Sequence, residues 1–368
     1  MYIETTHNNI KILQNKIKEK KKQIIMATKK RPRDNNHQNK YKNKRERSGS
    51  YNNNTILHNN ATDGDATEAL WSKRPGRDYT VSIALPGSIM QNAQSRELRT
   101  YLAGQVGRAL AIFNIDEVVV FDDRSMSEIE AAGSAYGDPN IFLGRILQYL
   151  ECPQYLRKKV FAIHPDLKYA GLLNPIDTPH HMRANEDRPF REGIVVETRP
   201  SNGKGSLVHV GTRQYLQINK ALKPGVRVTV DVEKKEAVEP TKPTKDLGVY
   251  WGYNVRLAKS LKDVFVESPF EGGYDCAIGT SENGTNVGKM KLAKKANHAI
   301  VVFGGLAGLE AAVEADESLN ITRDKTSNIF DHYVNVYPNQ GSRTIRTEEA
   351  ILMAMSILSP KLEKMGSK

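Results

Sequence analysis

Apolar positions along this chain follow three regimes. Up to about residue 77 they are sparse and show no period. From Tyr79 they organise. Tyr79-Thr-Val-Ser-Ile-Ala-Leu85 reads as a strand closed by Pro86-Gly87, and Leu98, Leu102, Val106 and Leu110 recur at helical spacing, predicting a helix from Ser95 to about Phe113. Asp116-Glu-Val-Val-Val-Phe121 is a short apolar run bounded by charges, the pattern of a strand buried on both faces of a parallel sheet. Asp138-Pro139 opens a second helix through Leu150, and Tyr155 to Phe161 continues the packing. Strand, helix, strand, helix predicts an α/β layer.

Between Asp166 and about Asp246 the period shortens. Gly193–Thr198, Gly205–Val210 and Val226–Val232 alternate apolar and polar residues, separated by Ser201-Asn202-Gly203 and Lys223-Pro224-Gly225. This pattern predicts a small β-barrel. Glu236 to Lys245, with Pro240 and Pro243, reads as an extended exit linker. The α/β pattern then returns. A helix is expected from Tyr253 to Leu261, strands at Tyr274–Gly279, Ala299–Phe303 and Tyr333–Tyr337, and a last helix from Glu348 to Leu358. The expected organisation is therefore a tail (1–77), a first α/β part (78–165), an inserted barrel (166–246) and a second α/β part (247–366).

Charge separates the tail from the rest. Residues 1–50 carry 15 Lys and Arg against 4 Asp and Glu, a net of +11, which leaves the remaining chain at +1 of the total +12. Such a tail, poor in aromatics, is expected to be disordered. Its clusters Lys29–Arg33 and Lys42–Arg47 suit nuclear import, a non-specific nucleic-acid arm or simple solubilisation. Met26 is an alternative start. Two cysteines, Cys152 and Cys276, make neither a disulfide framework nor a four-thiolate metal site. There is no signal-peptide core, and the most apolar run, Ala299–Leu309, is too short to span a membrane. A soluble intracellular protein with no membrane partner is expected.

Three loops follow the three late strands: Gly279-Thr-Ser-Glu-Asn-Gly284, Gly304-Gly-Leu-Ala-Gly-Leu-Glu310 and Pro338-Asn-Gln-Gly-Ser-Arg-Thr-Ile-Arg-Thr347. Ligands of open α/β sheets bind at the carboxyl ends of strands, and glycine there lets backbone approach a ligand. Each loop alone also reads as an ordinary turn; the three together point to a site. Gly304-Gly305-x-x-Gly308 lacks the G-x-G spacing of a dinucleotide fingerprint, and no Gly-Lys-Ser/Thr phosphate loop or Gly-x-Ser-x-Gly elbow occurs. His164, His180, His181 and His209 lack metal-ligand spacing, so no metal is expected. Thr347 is a candidate helix cap, with Glu348 and Glu349 at the positive end of the dipole. Arg343 and Arg346 suit an anion, with pairing to Glu348 or Glu349 as the alternative.

Several longer stretches resemble one family closely. They are Leu85–Ser95, Phe142–Arg157, Gly171–His181, Phe303–Glu310 and Gln340–Ala350. The family is the SPOUT-domain RNA methyltransferases with an inserted OB-fold, and the resemblance runs from about Tyr79 to Leu358. It implies a parallel sheet with a deep trefoil knot, a homodimer, and S-adenosylmethionine held by the three loops. It also implies methylation of uridine N3 in large-subunit ribosomal RNA. Carried over by position, the cofactor residues are Thr280, Ser281, Gly304, Gly305, Gly308, Glu310, Asn335, Gln340, Gly341, Ser342, Thr344, Ile345 and Thr347. Arg343 and Arg346 are candidates for stabilising charge and Glu310 for proton removal. RNA contacts are expected at Arg96, Arg99, Arg183, Arg191, Arg213 and Tyr215. The family includes an animal protein linked to the centromere and spindle, which implies a nuclear or nucleolar location and spindle or kinetochore partners. The alternatives are a SPOUT scaffold with secondary or lost catalysis, and a nicotinamide-dependent oxidoreductase.

Overall fold

The computed structural model describes residues 71, 76–125, 128, 137–292 and 295–366. The basic clusters and the expected disorder of the tail lie outside the described residues. Trp71 and Arg77, assigned above to that tail, instead pack on the body. Trp71 meets Trp251 edge-on at 5.9 Å, and the Arg77 guanidinium pairs with Asp116.

The first strand, β1 (Thr80–Pro86), is buried from Val81 onward. Helix α1 (Arg96–Ile112) follows, capped by the Ser95 side chain accepting the Leu98 amide. Leu102, Val106 and Leu110 face the core as the period requires, but Leu98, in the first turn, is exposed. Strand β2 (Glu117–Phe121) is buried throughout, and α2 (Pro139–Glu151) starts at an Asp138 cap. A short helix α3 (Gln154–Val160) leads to the insertion.

The insertion holds β3 (Phe190–Val195), β4 (Ser206–His209), β5 (Leu216–Ile218), β6 (Arg227–Asp231) and β7 (Glu236–Val238), an antiparallel sheet in the order β5-β4-β3-β6-β7. Val195, Val208, Val210, Ile218 and Val230 form its own small core. The expected exit linker is in fact β7 followed by helix α4 (Lys242–Leu247), where Pro243 falls in the first turn and Gly248 ends the helix in the left-handed region.

The remaining elements are β8 (Asn254–Ala258), α5 (Leu261–Val266), β9 (Cys276–Asn286), β10 (His298–Val302), α6 (Gly308–Ala315), β11 (His332–Asn335) and α7 (Thr347–Gly366). The helix expected at Tyr253–Leu261 is the strand β8. Val255 packs into the core while its neighbour Arg256 turns to Glu117 on the other face, a period of two enforced by pairing with β2. The last helix also runs further than its apolar pattern suggested, to Gly366 through Pro360.

Six strands form one sheet, β11-β9-β10-β1-β2-β8, with every pair parallel. Alternate residues feed two cores. Ile83, Leu85, Val118, Val120 and Val301 join α1, α2 and α7 on one face. Ala84, Val119, Phe121, Ile300 and Val302 meet Leu261, Leu309 and Val313 of α5 and α6 on the other. Because all six strands point one way, all their carboxyl ends share one edge. The insertion joins the opposite edge, where Glu192, Arg227 and Thr229 line a cleft with Thr80, Glu117 and Asn254, residues at the starts of β1, β2 and β8. No described helix is long and apolar enough to cross a membrane.

Candidate functional site

The carboxyl edge carries the site because the chain breaks its own ladder there. β9 pairs with β11 through Gly279 opposite Tyr333, then resumes with Thr285 opposite Val334. Residues 280–284 therefore bulge out of the sheet, an excursion within one long strand rather than a loop after it. Gly284 has to be small, since a Cβ there would lie 2.3 Å from the Val334 carbonyl carbon. The bulge aims Ser281 and Asn283 at the start of α6.

There they meet Glu310. Its Oε1 accepts from Ser281 Oγ at 2.8 Å, Asn283 Nδ2 at 2.7 Å and Tyr333 OH at 2.7 Å. Burial acts to raise this carboxyl, but the bonds from Asn283, Tyr333, its own backbone and Ser281 outweigh it and hold the group below its ordinary value. Glu310 is thus a fixed anion, poorly suited to accepting a proton. Asn283 and Tyr333 were not singled out from sequence; Asn283 lay in a quoted loop, while Tyr333 gave no local sign of its role.

Glu310 lines a cavity of about 240 Å³ with residues from all three loops. Thr280, Ser281, Gly304, Gly305, Gly308, Asn335, Gln340, Thr344, Ile345 and Thr347, all candidates named above, are part of its wall, joined by Asn283, Arg323 and Tyr337. Gly341 and Ser342 belong to the same loop but are not among the lining residues. Both are exposed, and a Cβ on Gly341 would meet nothing within 4 Å. Gly304 is different: its Cβ would sit 2.5 Å from the Gly308 carbonyl carbon and the Leu309 nitrogen. Gly308 holds φ at +82°, which a side chain would strain.

Several wall side chains are already committed. Thr280 Oγ1 donates to the Val302 carbonyl at 3.0 Å, and Asn335 Nδ2 to the Glu282 carbonyl at 2.8 Å. Thr347 does not cap α7. Its hydroxyl donates to the Gly304 carbonyl at 3.0 Å, tying the third loop to the second. Arg346 precedes the helix instead: its carbonyl accepts the Glu349 and Ala350 amides, and its own amide donates to Glu349 Oε2 at 2.9 Å. Arg343 lines the cavity and is exposed, whereas Arg346 is exposed away from it. Among the described residues neither guanidinium forms an ion pair.

The expected RNA residues divide. Arg96 and Arg99 lie in the first turn of α1, the helix that follows β1, and Arg99 Nε donates to the Ala93 carbonyl at 3.0 Å. Arg183, Arg213 and Tyr215 are exposed on the insertion at the other edge, Tyr215 edge-on to His209 at 5.9 Å. Arg191 is corrected: it is buried, and its guanidinium donates to the carbonyls of Val210, Glu186 and Arg183 at 2.9, 2.8 and 3.0 Å. A buried cation satisfied by three main-chain carbonyls is a structural staple and offers nothing to phosphate. His180 and His181 also act structurally, both ring Nε2 atoms meeting the Glu151 carbonyl, and burial drops His181 to about 3. Among the described residues no group of three or more His, Cys, Asp or Glu is placed to hold a metal.

Comparison with known proteins follows the same boundaries. A family model described as "Putative RNA methyltransferase" matches residues 80–358. The chain is 51% identical over 308 residues to the 28S rRNA (uridine-N(3))-methyltransferase of Homo sapiens, covering 80% of this chain and 81% of that one. The Mus musculus protein of the same name is also 51% identical over 308 residues, with 80% and 79% covered. The Drosophila melanogaster protein of that name is 47% identical over 322 residues, with 82% and 66% covered.

Proposed function

Since this chain belongs to the RNA methyltransferase family whose model spans residues 80–358, we propose that it methylates uridine N3 in large-subunit ribosomal RNA with S-adenosylmethionine. One observation carries this reading: three loops from β9, β10 and β11 converge on a cavity whose anion, Glu310, is held by three donors. The cavity fits the cofactor on its own terms. Gly304 and Gly305 leave main chain bare along one wall, and Glu310 supplies a fixed acceptor for ribose hydroxyls or an ammonium. Thr280, Asn335, Gln340, Thr344, Ile345 and Thr347 would complete the hold. When bound, the cofactor supplies an activated methyl group on a sulfonium.

The protein's work is then alignment and charge. Residues of the three loops fix one reactant, and Arg343, exposed at the cavity wall without an ionic partner among the described residues, offsets negative charge on the pyrimidine or holds a phosphate. Arg213 and Tyr215 offer a cation and a stacking face on the insertion. The five-stranded insertion is read as an OB-like barrel and the parallel sheet as trefoil-knotted; the insertion's own Val-rich core and the all-parallel order support this.

A homodimer belongs to the same reading. Tyr101 and Ile112 of α1, Leu172, and Leu352 of α7 expose a shared apolar groove that a second copy would cover. The basic clusters of the tail support a nuclear and nucleolar location, and spindle or kinetochore partners are proposed with it. Incubating the purified chain with large-subunit rRNA and S-adenosylmethionine, then mapping N3-methyluridine by mass spectrometry, tests the activity. An unmodified RNA in the presence of bound cofactor would refute it; sedimentation equilibrium tests the dimer.

A further inference from the structure

The reaction proposed above must remove the proton on uridine N3, and Glu310, a stabilised anion, is poorly placed to take it. The parallel sheet brings another carboxylate to the same edge. The turn after β1 carries Ser88, and the turn after β2 carries Asp122 and Asp123. Both turns abut the loop after β10. A Cβ on Gly305, a residue of the cavity wall, would lie 2.6 Å from Asp123 Oδ2 and 2.8 Å from Ser88 Oγ. Gly305 thus brings the cavity wall into contact with this pair.

The two neighbouring carboxylates are treated differently. Asp122 is saturated: Arg124 donates to both its oxygens at 2.9 and 2.6 Å, and Asn140 Nδ2 adds a bond at 2.8 Å. Asn140 is itself fixed by the Gly87 amide at 3.0 Å. Asp123 receives one side-chain bond, from Ser88 Oγ to Oδ2 at 2.7 Å, while its Oδ1 is buried with no hydrogen-bond partner among the described residues. A buried acceptor left without a donor is costly unless a ligand completes it. Resting on the methyltransferase reading, we propose that Asp123 is the catalytic base that accepts the N3 proton of the substrate uridine, oriented by Ser88.

The step balances. The N3–H proton passes to the Asp123 carboxylate, the freed pair on N3 bonds the methyl carbon, and the carbon–sulfur bond breaks with its electrons staying on sulfur. N3-methyluridine and S-adenosylhomocysteine result. The surroundings suit a base. Burial pushes the Asp123 carboxyl above its ordinary value, against the lowering bonds from Ser88 and its own backbone. Asp122 adds to the rise and Arg124 opposes it; Ser88, Pro86 and Gly305, which approach from β1, its turn and the β10 loop, are uncharged.

The test uses the full chain, S-adenosylmethionine and large-subunit rRNA. Asp123→Asn is expected to lower kcat by about 10²–10⁴-fold, the span a general base contributes, while calorimetric cofactor affinity stays within about threefold of wild type. Lost cofactor affinity would make Asp123 part of the cofactor grip and overturn the proposal; so would turnover within about threefold of wild type. Ser88→Ala keeps the base and removes its donor. The acid limb of kcat/KM should then move to higher pH, and in cofactor-free protein the infrared band of the protonated Asp123 carboxyl should titrate at higher pH too. A limb and band that stay in place overturn the proposal. Wild-type protein that binds cofactor but leaves rRNA unmethylated would remove the underlying reading instead, and shows itself without any variant.

Discussion

Replacing Arg227 with methionine tests how the insertion is fastened to the α/β body. Arg227 on β6 donates to Glu151 Oε2 and Oε1 at 2.5 and 2.9 Å, and to Glu192 Oε2 at 2.6 Å. Glu151 ends α2 and Glu192 lies in β3, so one guanidinium joins both parts of the fold. Burial acts to raise the Glu151 carboxyl, yet Arg227 and His180 outweigh it and bring it to about 2. Against an unfolded value of about 4.3, at 1.36 kcal/mol per unit, that depression is worth about 3 kcal/mol at neutral pH. Removing one member of a buried pair costs about 3–5 kcal/mol, which agrees.

The pH dependence gives the sharper test. In wild type the folded value is depressed, so this stability is present above the unfolded value and lost as pH falls toward about 2. In Arg227→Met, burial is left unopposed by the guanidinium and lifts Glu151 relative to wild type. Its deficit should be largest at neutral pH and shrink on acidification, as the carboxyl takes up a proton. Trp251, whose Nε1 donates to Glu192 Oε1 at 2.7 Å, reports the junction by fluorescence. At a urea slope of about 3 kcal/mol per molar, the midpoint at pH 7 should drop by about 1 M. A drop below about 0.3 M, or a deficit that does not narrow between pH 7 and 4, would refute the reasoning. Glu151→Gln combined with Arg227→Met should recover part of the loss, since the unpaired charge on Glu151 is gone.

Glu310→Gln keeps the shape but discards the anion, so S-adenosylmethionine affinity by calorimetry should weaken about 10–100-fold, the worth of one charged hydrogen bond. Unchanged affinity would remove Glu310 from the cofactor site. Gly304→Ala drives a Cβ to 2.5 Å from backbone and should lower stability by about 1–3 kcal/mol and weaken cofactor binding, whereas Gly341→Ala, facing open space, should do neither. Equal melting temperatures and affinities for the two variants would sink that distinction. Tyr215→Ala should lower RNA affinity in a filter-binding assay by about 1–3 kcal/mol if a base stacks there. Arg191→Met should instead lower the melting temperature, and an RNA-binding defect in a fully stable Arg191 variant would contradict its buried role.

Local patterns told much of this in advance. β1, α1, β2 and α2 were legible because each carries its pattern along its own length, a continuous apolar run in the two strands buried on both faces and an apolar face in the two helices. β8 was misread as a helix because five residues between aromatic and basic neighbours hold too little period; only pairing with β2 decides them. Arg191 looked like any other cation of the insertion, and Arg213 differs from it only in where the chain folds. Gly304 and Gly341 were indistinguishable as glycines, though one is wedged against backbone and the other borders solvent.

By itself the sequence determined most element types, though not β8 or the β7–α4 exit, the division of the α/β domain by an insertion, and the three segments that build the cavity. Those depend on spacing within a few residues, and spacing is written in order. Tertiary structure alone decided that Glu310 is tied by residues 23 to 29 positions away, and that Ser88 and Asp123, 35 apart, meet beside Gly305. The physical reason is the sheet: strands out of sequence order lie side by side, so residues distant along the chain share one edge, and burial there sets which carboxylate stays charged.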